Sequence, residues 1–167
     1  MFDAYLVRYG SVPEVARCAC SSDLRVERGD RVVVRTHRGL QLGTILEADR
    51  RGSIAQESDF AVVRLASEDD EAAARRLQER CEAEFYDWCR RILLWKLPLE
   101  LIDLERTLDA EKLILYVLTE RGPAATSLAL HAAAEGLGLV EVQPVTATGG
   151  LATSPSGGCG TGHCGCH

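Results

Sequence analysis

Hydrophobic positions in this chain change their period once, near residue 67. Before it the spacing is two. Tyr5, Val7 and Tyr9 alternate with Leu6 and Arg8, so one side chain in two faces a core, as in a half-buried strand. Cys18 and Cys20 are also two apart and share one face of a strand. Arg31-Val32-Val33-Val34-Arg35-Thr36 is a β-branched run, which suits a pleated surface. Arg38-Gly39 turns the chain into Leu40-Gln41-Leu42-Gly43-Thr44-Ile45-Leu46, and Phe60-Ala61-Val62-Val63-Arg64-Leu65 is a further strand. Gly39 is expected to supply a positive φ, and Gly43 a bulge or bend. Residues 49–59 are polar and read as a loop. Residues 1–66 are therefore a β-rich N-terminal unit, a small twisted sheet or partial barrel.

From Ser67 the period is helical. Leu77, Cys81, Phe85, Trp88, Ile92 and Trp95 recur at three- and four-residue steps, which predicts one helix of nearly thirty residues, roughly 40 Å long. Ser67 is its N-cap, with Asp70 placed to close a capping box less well than Glu would. Glu68, Asp69, Asp70 and Glu71 suit the positive helix end, and Pro98 ends it. Cys81 and Cys89 fall on or beside the apolar stripe and read as buried small hydrophobes. Leu99–Thr107 and Lys112–Glu120 are two strands. The second is apolar on both faces and is expected to be central. Gly122-Pro123 opens an alanine-rich helix to about Leu137, with Gly136 and Gly138 as stops. His131 within it reads as a surface or packed histidine. Leu139–Gln143 is the last strand. Residues 67–145 thus form a helix-strand-strand-helix-strand sandwich with helices on one face, and the fold class is α+β.

Residues 146–167 break both patterns. Apart from Leu151, the stretch is Gly, Ser, Thr, Ala and Pro up to Cys159-Gly160-Thr161-Gly162-His163-Cys164-Gly165-Cys166-His167. It has too little apolar surface to fold alone and reads as a flexible linker carrying a metal-binding-like tail. Cys159, Cys164 and Cys166 with His163 or His167 supply four N/S ligands, the set zinc prefers. An iron–sulfur cluster prefers cysteine alone. Its fourth ligand would be a histidine, Cys18, Cys20 or a partner's cysteine. Cys164 and Cys166 are alternatively a dithiol redox pair, although no basic neighbour is evident to lower a thiol pKa. A tail without a defined site is the third reading.

Composition narrows the setting. No apolar run approaches the length of a membrane span, and the N-terminus lacks the basic and apolar regions of a signal peptide. A cytoplasmic location is expected, where seven cysteines argue for metal or redox roles over a disulfide framework. The net charge of −6 argues against wholesale coating of nucleic acid. Residues 67–120 carry 14 acidic and 8 basic side chains, an excess the size of the whole deficit. Against this background Arg25, Arg28, Arg31, Arg35 and Arg38 stand out. They read as a solvated sheet face, or as a weak RNA contact. The chain lacks the phosphate-binding, dinucleotide, zinc-protease and serine-nucleophile motifs. Eight of its 25 acidic residues lie on the long helix, where a solvated face accounts for them.

Gly29-Asp30-Arg31-Val32-Val33-Val34-Arg35-Thr36-His37-Arg38-Gly39-Leu40-Gln41-Leu42-Gly43 resembles the "GD-x-V-V-V-x-T-x-RG-x-E-x-G" signature of the YaaT-like family, whose members carry the polymerase-suppressor C-terminal domain. The likeness continues through Phe60–Ala66, the long helix, Leu97-Pro98-Leu99-Glu100-Leu101-Ile102-Asp103-Leu104-Glu105 and Thr107-Leu108-Asp109. It spans about residues 5–145. Relatives commonly end in a "CG-x-x-x-C-C" group, which Cys159–Cys164 matches at its start. Bacterial members are non-catalytic partners of small helical proteins, in a complex associated with iron–sulfur clusters that modulates ribonuclease Y-dependent RNA maturation. The resemblance implies a regulatory adaptor with protein partners and a zinc site or shared iron–sulfur cluster. The residues alone leave open a metal-handling or thiol redox protein, and, least favoured, a small enzyme.

Overall fold

The computed structural model describes residues 2–49, 60–120 and 122–145. Five strands come first: β1 (Phe2–Tyr9), β2 (Glu14–Ser21), β3 (Arg31–Thr36), β4 (Gly39–Ala48) and β5 (Ala61–Leu65). They close into a barrel in the order β1-β2-β5-β3-β4. Closure goes beyond the partial barrel expected, because β1 pairs antiparallel with both β2 and β4. Among the described residues, the one parallel pairing in the barrel is β2 with β5, where Ala19 meets Ala61 and Cys20 meets Val62. The alternating side chains fill the interior: Val7, Tyr9, Cys18, Cys20, Val32, Val34, Ile45 and Val62 form its core.

The two glycines of β4 serve different ends. Gly39 has φ +131°, as the turn requires. Gly43 is not a bulge. It pairs in register with Tyr9 and Val32, and the β1–β4 irregularity lies instead at Leu6/Val7. A Cβ on Gly43 would come within 2.7 Å of Val7 Cγ1 on the neighbouring strand β1, so glycine leaves room for the Val7 side chain in the barrel interior.

Helix α1 (Glu68–Leu94) follows, then β6 (Glu100–Arg106), β7 (Lys112–Leu118), α2 (Gly122–Ala134) and β8 (Leu139–Val145). The capping box is complete. Ser67 Oγ accepts the Asp70 N–H at 3.2 Å, and the Asp70 carboxylate accepts the Ser67 N–H at 2.8 Å. Arg64 also pairs with Asp70. The Arg64 guanidinium and the Ser67 N–H hold the Asp70 carboxyl well below its usual range. Its contribution is complete above the ordinary carboxylate pKa of about 3.9 and disappears as pH falls through the depressed value. α1 stops at Leu94, ahead of Pro98, and Lys96 adopts φ +54°. α2 stops at Ala134, three residues short of the expected end, before Gly136 and Gly138 at positive φ.

The second sheet runs β6-β7-β8, with β6 antiparallel and β8 parallel to the central β7. Leu113, Leu115 and Val117 of β7 face Cys81, Trp88 and Ile92 of α1 and Leu128 and Ala132 of α2. Both helices therefore lie on one face, as expected. Ile114 and Tyr116 point the other way, toward Val12 in the β1–β2 connection. The sheet is thus covered by helices on one face and by the barrel on the other, which explains why β7 is apolar throughout. His131 of α2 stacks on Trp95, centroids 4.9 Å apart, a packed surface histidine.

Candidate functional site

The barrel meets the sheet through polar groups. The β3–β4 turn sits on the β6–β7 turn, where Leu108 N–H donates to Leu40 O at 2.6 Å. A Cβ on Gly39 would lie 3.2 Å from Thr107 Cγ2. This turn drives the Arg38 side chain, 1% exposed, into the seam. There Arg38 Nη2 lies 2.6 Å from Glu14 Oε1 and donates to Gln143 Oε1 at 3.2 Å. Nη1 donates to the Tyr116 hydroxyl at 3.3 Å, and Nε lies 3.4 Å from Glu141 Oε1. Burial opposes the guanidinium charge, but the Tyr116, Glu14 and Glu141 oxygens outweigh it and raise the Arg38 pKa. Lys112 joins the knot through Glu141 at 2.9 Å.

Tyr116 links this knot to a second carboxylate. Its hydroxyl donates to Glu105 Oε2 at 2.6 Å. Burial, reinforced by the Glu105 charge, pushes the Tyr116 pKa far up, so it remains a donor. Glu105 also accepts the Ser11 N–H at 2.9 Å and Gln41 Nε2 at 2.6 Å. Three donors from three segments thus fix one carboxylate, and every one of them is neutral.

Glu105 opens on its other side into a groove of about 820 Å³ between the barrel, α1 and β6. Leu77, Cys81 and Phe85, at helical spacing, form the α1 wall with Tyr86 at the rim. Tyr86 is 78% exposed and packs edge-on against Phe85. Asp103 and Arg106 come from β6, and Arg8 and Thr44 from the barrel. No family model, curated protein or solved structure matches the chain. The groove walls offer binding chemistry: an oriented carboxylate, aromatic faces and both signs of charge.

The residues singled out in the sequence separate into three groups. Cys159, His163, Cys164, Cys166 and His167 lie outside the described residues. Among those described, no three His, Cys, Asp or Glu side chains converge as a metal set. Cys18 and Cys20, considered as a fourth cluster ligand, are both 0% exposed in the barrel core. Burial pushes the Cys18 thiol up to about 12 and the Cys81 thiol up to about 11, and raises Cys20 as well. At about pH 8 these thiols are protonated; Cys18 and Cys20 are enclosed in the barrel, and Cys81 is buried at the base of the α1 groove wall. Iodoacetamide should modify Cys18, Cys20 and Cys81 at least about tenfold more slowly in the native chain than in the unfolded chain. Peptide mapping checks this, and native-state labelling of Cys18 at the unfolded rate would contradict the barrel interior.

The five arginines do not act as one surface. Arg25, Arg28, Arg31 and Arg35 are exposed, whereas Arg38 is buried. Arg31 is committed to Glu71 at 2.8 Å. Arg38 is therefore removed from any RNA-facing set, because oxygens of Glu14, Tyr116, Glu141 and Gln143 surround its guanidinium. Sequence reasoning missed Arg38, Glu105 and Tyr116 as one network. The period-two pattern of β7 does put Tyr116 on the face shared with Ile114, but nothing local marks Arg38 as interior. Among the described residues, no helix is long and apolar enough to cross a membrane.

Proposed function

We propose that this chain is a non-enzymatic cytoplasmic regulatory adaptor of the YaaT-like type that docks a protein partner in the groove between the barrel and α1. The observation that carries this reading is the groove itself. It has an exposed tyrosine at its rim, a half-buried phenylalanine in its wall and a fixed carboxylate in its floor. Aromatic anchors beside a desolvated pocket are the usual centres of binding energy. The thiols of the folded body are poor nucleophiles at neutral pH, which favours binding over thiol chemistry there. The resemblance directs the search for the partner toward RNA-processing machinery, with Arg25, Arg28 and Arg35 as a weak RNA contact. In this reading Cys159, His163, Cys164, Cys166 and His167 hold zinc or an iron–sulfur cluster shared with the partner.

A quantitative pull-down tests the docking. A protein recovered with the wild-type chain should fall at least about tenfold with Tyr86→Ala, and in a chain deleted after residue 145 it should remain detectable through the groove while losing the share held by the tail. Equal recovery with the wild-type and Tyr86→Ala chains would remove the groove from the function. The ligand density of residues 159–167 favours a second reading, a metal-handling or thiol redox protein. Anaerobic purification under reducing conditions separates the two. Stoichiometric iron and sulfide support the shared-cluster adaptor. Zinc alone supports a zinc-handling tail. Metal-free protein with Cys159, Cys164 and Cys166 freely alkylated would end both metal readings for the isolated chain.

A further inference from the structure

The charges lining the groove are unevenly committed. Arg31 is paired with Glu71 at 2.8 Å, a carboxylate outside the lining, and Arg106 with Glu84 at 2.7 Å, which it shares with Arg80 at 2.8 Å, so Arg31 is offset and Arg106 partly so. Among the described residues the lining acids have no such partners. There Glu82 accepts from Gln78 Nε2 at 3.1 Å, and Asp103 from the Leu104 N–H at 2.8 Å. Glu105 accepts from Ser11, Gln41 and Tyr116, all neutral. Among the described residues, none of these three carboxylates is ion-paired, and Arg8 is the one lining cation left uncommitted. The groove therefore retains an excess of negative charge, set in a chain of net charge −6.

Aromatic rings share the same walls. Phe85 and the exposed Tyr86 stand on α1 with Glu82, and Asp103 lies across from them on β6. Ring faces and carboxylates both attract a cation, the first through the quadrupole and the second through charge. An RNA backbone needs the reverse, uncommitted cations in numbers. The α1 wall runs from Ala74 to Tyr86, about 18 Å at 1.5 Å per residue. That length matches about five residues of extended chain at roughly 3.3 Å each.

We infer that the groove receives a short basic segment of a partner protein, an apolar or aromatic side chain packing on Leu77 and Phe85 while a neighbouring Lys or Arg is held among Tyr86, Glu82 and Asp103. This rests on the adaptor reading and specifies its partner. The uncommitted carboxylates set the sign of the charge, the α1 stripe supplies the apolar contact, and the net negative field of the chain speeds the encounter.

The test uses the full chain and a display library of random linear peptides. Enriched peptides should place Lys or Arg beside an aromatic or aliphatic residue. Fluorescein-labelled copies should bind Glu82→Lys at least about tenfold more weakly than wild type, and Asp103→Asn about threefold to tenfold more weakly. Tyr86→Ala should cost about tenfold. Raising salt from about 50 to about 300 mM should weaken wild-type binding severalfold and the Glu82→Lys variant less. Glu82 and Tyr86 are exposed, so unchanged circular dichroism is the control for folding. Acidic or uncharged enriched peptides, no enrichment, or binding indifferent to Glu82→Lys would each overturn the inference. So would a labelled single-stranded RNA that displaces the peptide from the groove. A partner whose recovery depends on Tyr86 but whose bound segment is not basic would sink the charge argument alone and leave the adaptor standing. The absence of both a groove-dependent partner and an enriched peptide would sink the two together.

Discussion

Replacing Arg38 by methionine is expected to lower the stability of the chain by about 3–5 kcal/mol, the cost of removing one member of a buried ion cluster. The size follows from what would be left behind. Methionine fills much of the same volume, so packing changes little. Glu14 Oε1 loses a cation 2.6 Å away, and Gln143 and Tyr116 lose their donor. Glu141 keeps Lys112 at 2.9 Å and is the least affected. Burying an uncompensated carboxylate is the largest part of the loss, since desolvation is no longer offset by the guanidinium. The double variant Arg38→Met, Glu14→Gln should therefore recover part of the loss, because it removes the stranded charge. Arg38→Lys should fall between wild type and methionine, since a compact ammonium cannot reproduce the planar fork that reaches Glu14, Tyr116, Glu141 and Gln143 together. Urea unfolding read by circular dichroism measures all three. A loss below about 1 kcal/mol for Arg38→Met would mean that the guanidinium is solvated.

The second large effect is expected at Trp88. Its side chain is 3% exposed and lies with Cys81 and Ile92 in the cluster of Leu101, Leu104, Leu115, Val117 and Leu128. Trp88→Ala removes the largest side chain of that core and leaves a cavity that only partly collapses, at a cost of about 3–5 kcal/mol. The Arg91 guanidinium stands over the Trp88 ring, 5.5 Å from its centroid, and loses that contact too. Thermal unfolding should begin at a lower temperature, with early loss of the helical signal. The reporter left behind is Trp95, whose Nε1–H donates to Glu135 at 3.2 Å. If α1 kept its wild-type melting midpoint without Trp88, the helix would not be held by this apolar face.

Some of this architecture was readable one segment at a time. The change of period at Ser67, the cap it forms with Asp70, the β-branched run of Arg31–Thr36 and the doubly apolar Leu113–Leu118 are local signals. They predicted the strands and helices that the fold contains, with ends displaced by a few residues. The helix ends moved because propensity decays gradually, whereas termination depends on where the chain is drawn to its next contact. The element order helix-strand-strand-helix-strand also predicted helices on one face of the sheet, and the α1 stripe is the surface that packs there.

The seam and groove were not readable in this way. Arg38 and Gln41 look like ordinary turn and strand residues, and Glu105 like one more exposed acid. Their roles come from groups far along the chain. Arg38 meets Tyr116 and Gln143 across 78 and 105 residues, and Gln41 meets Glu105 across 64. Whether a charged side chain is buried depends on whether counter-charges meet it in space, and periodicity carries no information about that.

By itself, the sequence determined the elements, their order, the acidic bias and the ligand-rich composition of residues 159–167, because each is a property of neighbours along the chain. Only the tertiary structure decided that the barrel closes, that Arg38 turns inward while Arg25, Arg28, Arg31 and Arg35 remain outside, and that Glu82, Asp103 and Glu105 line one groove without cationic partners. Those outcomes depend on which distant surfaces come within a few ångströms of each other, where desolvation and charge pairing act.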